Sequence, residues 1–184
     1  IYLDKDSSIY LEIKGTNYHE PYIYGLSIYN ENVCYFIKPE LINKCFPKFK
    51  DFVKFTYDLK KLYVSFKWMN LDIENIEFDT MIAGYLLEFN IKDDISYLAN
   101  QFNYNIPFYE NTYMSTKTKY KEVSIDEIAK VCSQKAKFIY DTTVEFKKLL
   151  KEKELENLFY DIEMPLSLVL GDMEFDGVYV DKQE

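Results

Sequence analysis

Tyr10 and Glu12 are the residues on which the chemistry of this chain turns. They stand two apart in SIYLEIK (Ser8–Lys14), where Ile9, Leu11 and Ile13 alternate with Tyr10, Glu12 and Lys14. That alternation predicts a strand with unlike faces, one aliphatic and turned to a core, the other presenting Tyr10 and Glu12 side by side. A central strand that holds metals for a nuclease needs carboxylates at both positions. Here one is a carboxylate and the other a phenol.

The remaining reactive side chains are few. Ser124-Ile-Asp-Glu127 is a capping box, and the long helix it opens carries Ile128, Cys132, Ile139, Thr143, Phe146 and Leu150 at helical spacing. Lys135 falls on that same stripe, and a lysine on an inward face is the oddest local feature of the sequence. Asp58 and Asp79 each precede an apolar helical segment and read as N-caps, while Asp4 and Asp6 belong to a lead-in. His19 is the only histidine, so a Ser/His or Cys/His pair would rest on one ring, and its NYHEP context reads as a surface turn. Cys34, Cys45 and Cys132 are odd in number and never spaced as CxxC, which argues against structural zinc and a disulfide framework and fits a reducing cytosol. Lys117, Lys119 and Lys121 read as a solvated loop, and most Tyr and Phe residues sit at core spacing rather than as base-stacking platforms.

The elements that position these groups follow from the pattern. At 184 residues with 48% hydrophobic and 18% aromatic content, the chain can bury a sizeable core. No apolar run approaches membrane-spanning length. The net charge is −9 and every basic residue is lysine, which argues against a strong free-standing grip on DNA. Ile1 opens the sequence without a Met and DKQE ends it, which reads as a piece of something longer. The first strand, YIYGLSIYN (22–30) and NVCYFIK (32–38) predict an antiparallel meander, followed by a short helix within 39–45 and a fourth strand at 51–57. Asp58 caps a helix with Leu59, Leu62, Tyr63 and Phe66 on its apolar stripe. IENIEF (73–78) is a short strand, TMIAGYLL a buried helix, and Asp94 caps another helix with Ile95, Leu98, Ala99 and Phe102. Residues 103–123 show no period and predict an irregular, partly mobile loop. The charged stretch 148–156 reads as a solvated helix end or a hinge, a last helix covers 161–173, and the turn at Asp176-Gly177 leads to a short VYV strand. The order implies an α/β domain: a mixed sheet of an antiparallel meander plus parallel strands, covered by helices.

Several stretches, in order, resemble the 3′–5′ proofreading exonuclease domain of bacterial DNA polymerase I, a family A polymerase. FDTMIAGYLL (78–87) resembles the family's FDTxLxxYLL helix, DISYLANQF (94–102) the following "LA" helix, and NYHEPYIYGLSIYN the segment after the first exonuclease strand. IEMPLSLVLGDMEFDGVYVD (162–181) is similar to the passage into the polymerase thumb. The resemblance implies a ribonuclease-H-like fold, with residues 1–160 as the exonuclease-like domain and 161–184 as the connection into a thumb that lies outside this sequence.

Active members hold two divalent metals about 3.5–4 Å apart, which clamp the attacking and leaving oxygens of a phosphodiester. Such hard cations need several convergent carboxylates. Laid on YLE, the family's first motif, D-x-E, puts Tyr10 in place of the aspartate and retains Glu12. The second motif, counted back from Asp79 without a gap, falls on Leu62; Asp58, one turn earlier in TYDLKK, is the competing assignment. The third motif, Y-x-x-x-D, falls on Val131 and Lys135. The resemblance therefore implies a degenerate site at Tyr10, Glu12, Leu62, Val131 and Lys135, with no metal and no cofactor in this part and with Lys135 standing within salt-bridge reach of Glu12. That pattern resembles polymerase I of some low-GC bacteria, whose exonuclease domains are vestigial. The expected role is a scaffold within a bacterial cytosolic or nucleoid monomer, with the polymerase domain of the same chain as partner, DNA primer-template bound through the parent, Mg²⁺ in the polymerase domain, and no membrane. Two alternatives compete: a residual nuclease rebuilt on Glu12 and Asp58 with Asp79 or the early aspartates, and an unrelated ribonuclease-H-like nucleic-acid-binding module.

Overall fold

The computed structural model describes residues 1–177. Its first strand, β1 (Ser7–Ile13), is buried along its whole length. β2 (Ile23–Tyr29) and β3 (Cys34–Ile37) continue from it as an antiparallel meander. β4 (Val53–Thr56) and the two-residue β5 (Phe78–Asp79) add on the other side, parallel to β1 and to each other in turn, giving the order β3-β2-β1-β4-β5. β1 is thus the central strand, with a neighbour on either side and a packed layer on each face. Gly25 stands opposite Glu12, and a Cβ there would meet the Phe36 ring at 2.3 Å, so any larger residue would have to push that ring aside.

The two faces of β1 differ as the alternation requires. Ile9, Leu11 and Ile13 enter an aliphatic core with Leu62 and Phe66 of α2 (Leu59–Trp68) and with Ile42 of the short α1 (Ile42–Cys45). Tyr10 enters a second core built on α6 (Ile125–Glu152), whose inward stripe includes Val131, Cys132, Ile139, Phe146 and Leu150. Ser124 starts that helix as expected, its side chain accepting from the Glu127 amide. α3 (Thr80–Leu86) and α4 (Ser96–Gln101) close the same side, followed by a π-helical stretch, Leu158–Glu163, and α7 (Met164–Asp176).

Three expectations need correction. IENIEF is not a strand: only Phe78 and the following Asp79 pair in the sheet, with Phe55 and Thr56, and the Glu77 amide donates to the Lys54 carbonyl just before them. α3 is only partly buried, because Tyr85 points out and Met81, Ile82 and Leu86 are half-covered. Residues 103–123 are ordered into α5 (Tyr109–Tyr113) and a hairpin of β6 (Met114–Thr116) and β7 (Lys119–Tyr120). Long-range bonds supply what local period does not: the Tyr109 hydroxyl accepts from the Gly15 amide at 2.7 Å and donates to the Ile13 carbonyl at 3.1 Å, while Asp94 accepts from the Tyr109 amide at 2.8 Å. The VYV strand expected after Gly177 lies outside the described residues.

Candidate functional site: a buried ion pair at a cleft

Glu12 and Lys135 meet inside the molecule. The Lys135 ammonium donates to Glu12 Oε2 at 2.5 Å, and both side chains are all but inaccessible to water. β1 aims Glu12 at α6 because residues 8, 10 and 12 share one face of the strand. α6 aims Lys135 back because it lies on the same stripe as Cys132 and Ile139. The packing between them is close: Ser8 Oγ donates to the Ala136 carbonyl at 2.6 Å, and the Cys132 thiol to the Tyr10 carbonyl at 3.5 Å. Aromatic rings supply further charge compensation, with the ammonium 5.0 Å from the Tyr10 centroid and 5.9 Å from that of Tyr109. Burial, reinforced by the Glu12 charge, pushes the Tyr10 phenol well above its ordinary range and the Cys132 thiol up to about 12. Both therefore stay neutral beside the pair.

A cleft of about 510 Å³ opens beside the pair, with Tyr10 and Glu12 at its base and Asp58, Asp93, Asp94 and Tyr109 among its walls. The other positions do not converge there. Leu62 is in the aliphatic core on the opposite face of β1, sharing a narrow crevice with Tyr10 and Asp58 but contributing only alkyl surface. Val131 is packed in the α6 core. Asp58 caps α2 in a left-handed conformation (φ 64°) and accepts from the Lys61 amide at 3.1 Å; burial raises its carboxyl above the ordinary value. Asp79 is fully buried and accepts from four amides, those of Asp58, Leu59, Met81 and Ile82, at 2.6–3.4 Å. Burial pushes its carboxyl up to about 7 against the pull of those bonds. Asp4 and Asp6 are exposed, away from the pair. His19 stacks on Tyr18 at the surface and approaches Glu174 at 3.8 Å. Among the described residues, no three His, Cys, Asp or Glu side chains are grouped as metal ligands would be.

Sequence reasoning missed Tyr109 and Asp93. Tyr109 sits in a stretch without period, and Asp93 is masked by its capping neighbour Asp94; no local signal marks either.

A five-stranded mixed sheet in this order, flanked by helices and with a carboxylate on its central strand facing a long helix, defines a ribonuclease-H-like α/β domain. The sequence of residues 9–142 matches the family described as DNA polymerase I, ribonuclease H-like domain, and the chain belongs to that family as a 3′–5′ exonuclease domain of DNA polymerase I. DNA polymerase I of Bacillus subtilis (strain 168) is 31% identical over 182 residues, covering 95% of this chain and 21% of that protein. For DNA polymerase I of Geobacillus stearothermophilus the figures are 27% identity over 182 residues, 95% and 21%. The chain therefore spans about a fifth of these relatives. Among solved structures, the POL domain of Pol1 from M. smegmatis in complex with DNA primer-template and dNTP shares the fold, with a TM-score of 0.69 at 16% identity over 96% of this chain and 30% of that one. Among the described residues, no helix is long and apolar enough to cross a membrane.

Proposed function

We propose that this chain is a vestigial 3′–5′ exonuclease domain, kept as a scaffold within a longer DNA polymerase I. The observation that carries the proposal is the Lys135–Glu12 pair. Two-metal hydrolysis needs several oxygen ligands aimed at one point. Of the positions assigned to that task, Tyr10 offers a neutral phenol, Leu62 and Val131 offer only alkyl groups, and Glu12 is taken by an ammonium. The residues present do not fit a pair of divalent cations. Lys135 supplies positive charge where a metal would have supplied it, and it repels any divalent ion drawn to Glu12. The pair is held in the interior, so it neutralises a carboxylate that would otherwise be costly to bury. On this reading, residues 1–160 form the scaffold and 161–184 lead toward the polymerase domain, which carries Mg²⁺ and the primer-template in a monomeric bacterial cytosolic enzyme.

One observation favours a second reading, a residual nuclease: Asp58 and Asp93 line the cleft with Glu12. Incubation of the chain with 3′-labelled single-stranded DNA and Mg²⁺ or Mn²⁺ separates the two. The scaffold reading expects no shortening of the strand. Chelator-sensitive trimming that disappears in Glu12→Ala would overturn it.

A further inference from the structure

The cleft beside the ion pair keeps the surfaces of a binding site, and they select a cation that is not a metal. Its walls carry four carboxylates besides Glu12: Asp58 at the start of α2, Asp93 and Asp94 before α4, and Glu110 in α5. Against them stand the ammonium groups of Lys60 and Lys61, and Glu174 already holds that of Lys60 at 2.6 Å. Lys135 cancels Glu12. The balance is negative, and a walled cleft concentrates that field on whatever enters it. Among the described residues, the Asp93 and Glu110 carboxylates have neither a hydrogen bond nor an ion pair, so both are open to a ligand. Tyr10 points to one independently. It is only 5% exposed, it stands at the cleft base, and among the described residues its hydroxyl has no hydrogen-bond partner. A phenol buried to that degree ordinarily has one.

We propose that the cleft binds a linear aliphatic polyamine, its ammonium groups on Asp58, Asp93 and Glu110, one of them donating to the Tyr10 hydroxyl oxygen. The molecule already shows how these rings receive an alkylammonium: that of Lys135 lies 5.0 Å from the Tyr10 centroid and 5.9 Å from that of Tyr109. Tyr97 and Phe108, with centroids 4.7 Å apart, add aromatic wall against which a methylene stem can lie. The placing of the acids decides the class. They come from three separate segments, and among the described residues no three are grouped as metal ligands would be. A compact ion therefore meets too few of them, whereas a chain with ammonium groups several bonds apart meets them in turn. A volume of about 510 Å³ suits a small-molecule site. The proposal goes beyond the scaffold reading and rests on it in one respect, that no divalent ion claims the cleft first.

Met81 lines the cleft and reports on it directly. In the full-length polypeptide with isotope-labelled methionine methyls, spermidine should shift the Met81 resonance saturably and leave Met114 in the hairpin unmoved. Asp93→Asn with Glu110→Gln, both at exposed positions, should raise the half-saturating concentration about tenfold. Tyr10→Phe should raise it about threefold. Asp4→Asn with Asp6→Asn removes the same charge from a remote surface and should change it by less than about twofold. Butylamine, with a single ammonium, should require a concentration about tenfold higher than spermidine. No saturable Met81 shift, or butylamine as effective as spermidine, overturns the proposal. So does an equal loss in the two acid pairs, since screening of the net charge of −9 would then be the effect measured. DNA trimming by the same sample with Mg²⁺ would sink the vestigial reading and leave the Met81 result standing.

Discussion

Glu12 and Asp79 are both buried carboxylates in one sheet, and they are compensated in opposite ways. Asp79 is surrounded by amides from residues 58, 59, 81 and 82, so its oxygens tie the start of α2 to the start of α3. Its role is local and architectural, and any protein with this β4–α2 turn beside this β5–α3 turn gains from it. Glu12 has a single strong partner, an ammonium 123 residues away in sequence. No turn or helix end depends on it. A charge that the backbone does not use, held next to a cleft and cancelled by another buried charge, is what the vestigial reading expects of a reactive site that has lost its ions and kept its architecture.

Removing one member of each arrangement sharpens that contrast. The largest effect expected is from Lys135→Met, which strands Glu12 without a counter-charge and should lower unfolding free energy by about 3–5 kcal/mol. Adding Glu12→Leu should recover most of the loss, because two apolar groups can replace a buried pair at little cost. Denaturant titration of the single and double variants checks both, and a double variant no better than the single would break the contrast. Asp79→Ala removes two caps at once and should cost about 2–3 kcal/mol, with no second-site apolar change able to restore it.

The pH dependence separates the two carboxylates again. The Asp79 carboxyl is raised from 3.8 to about 7 in the folded state, so the folded chain holds a proton that the unfolded chain releases between those values. Its contribution is present in full below about pH 4 and is lost as pH rises through 7, at a rate of at most about 1.4 kcal/mol for each pH unit crossed. Thermal melts from pH 4 to 8 should therefore flatten in Asp79→Asn, and an unchanged slope would contradict the assignment. The smallest effect expected is at Asp58. Asp58→Ala forfeits the cap and strains a left-handed φ, costing about 1 kcal/mol or somewhat more, whereas Asp58→Gly should cost only a few tenths; chemical denaturation distinguishes them.

What the sequence makes legible follows from the range of each interaction. The alternation in Ser8–Lys14 reveals β1, and the helical stripe through Cys132 and Ile139 turns Lys135 inward, so the meeting of Lys135 with Glu12 is readable once the family's motifs are laid on these residues. Caps are local, and Asp58, Asp79 and Ser124 are readable as such, whereas the N-cap of α4 is Ile95 and the Asp94 carboxylate instead accepts from the Ser96 and Tyr109 amides. The α5–hairpin segment is not, because its order comes from Tyr109 bonding to residues 13 and 15 and from the stacking of Tyr113 on Tyr24 at 4.7 Å. IENIEF shows the reverse failure. It has strand-like residues, but only Phe78 pairs in the sheet, with the Glu77 amide adding one bond to the Lys54 carbonyl at 2.7 Å.

If positive charge from Lys135 takes the place of divalent metal beside Glu12, no metal should enter there even at high concentration. Crystals of the chain soaked in Mn²⁺ and measured for anomalous scattering give the direct answer. No manganese peak is expected between Tyr10, Glu12 and Lys135, and the ammonium should still lie on Glu12. A peak at that point, with Lys135 displaced from the carboxylate, would refute the replacement of metal by lysine.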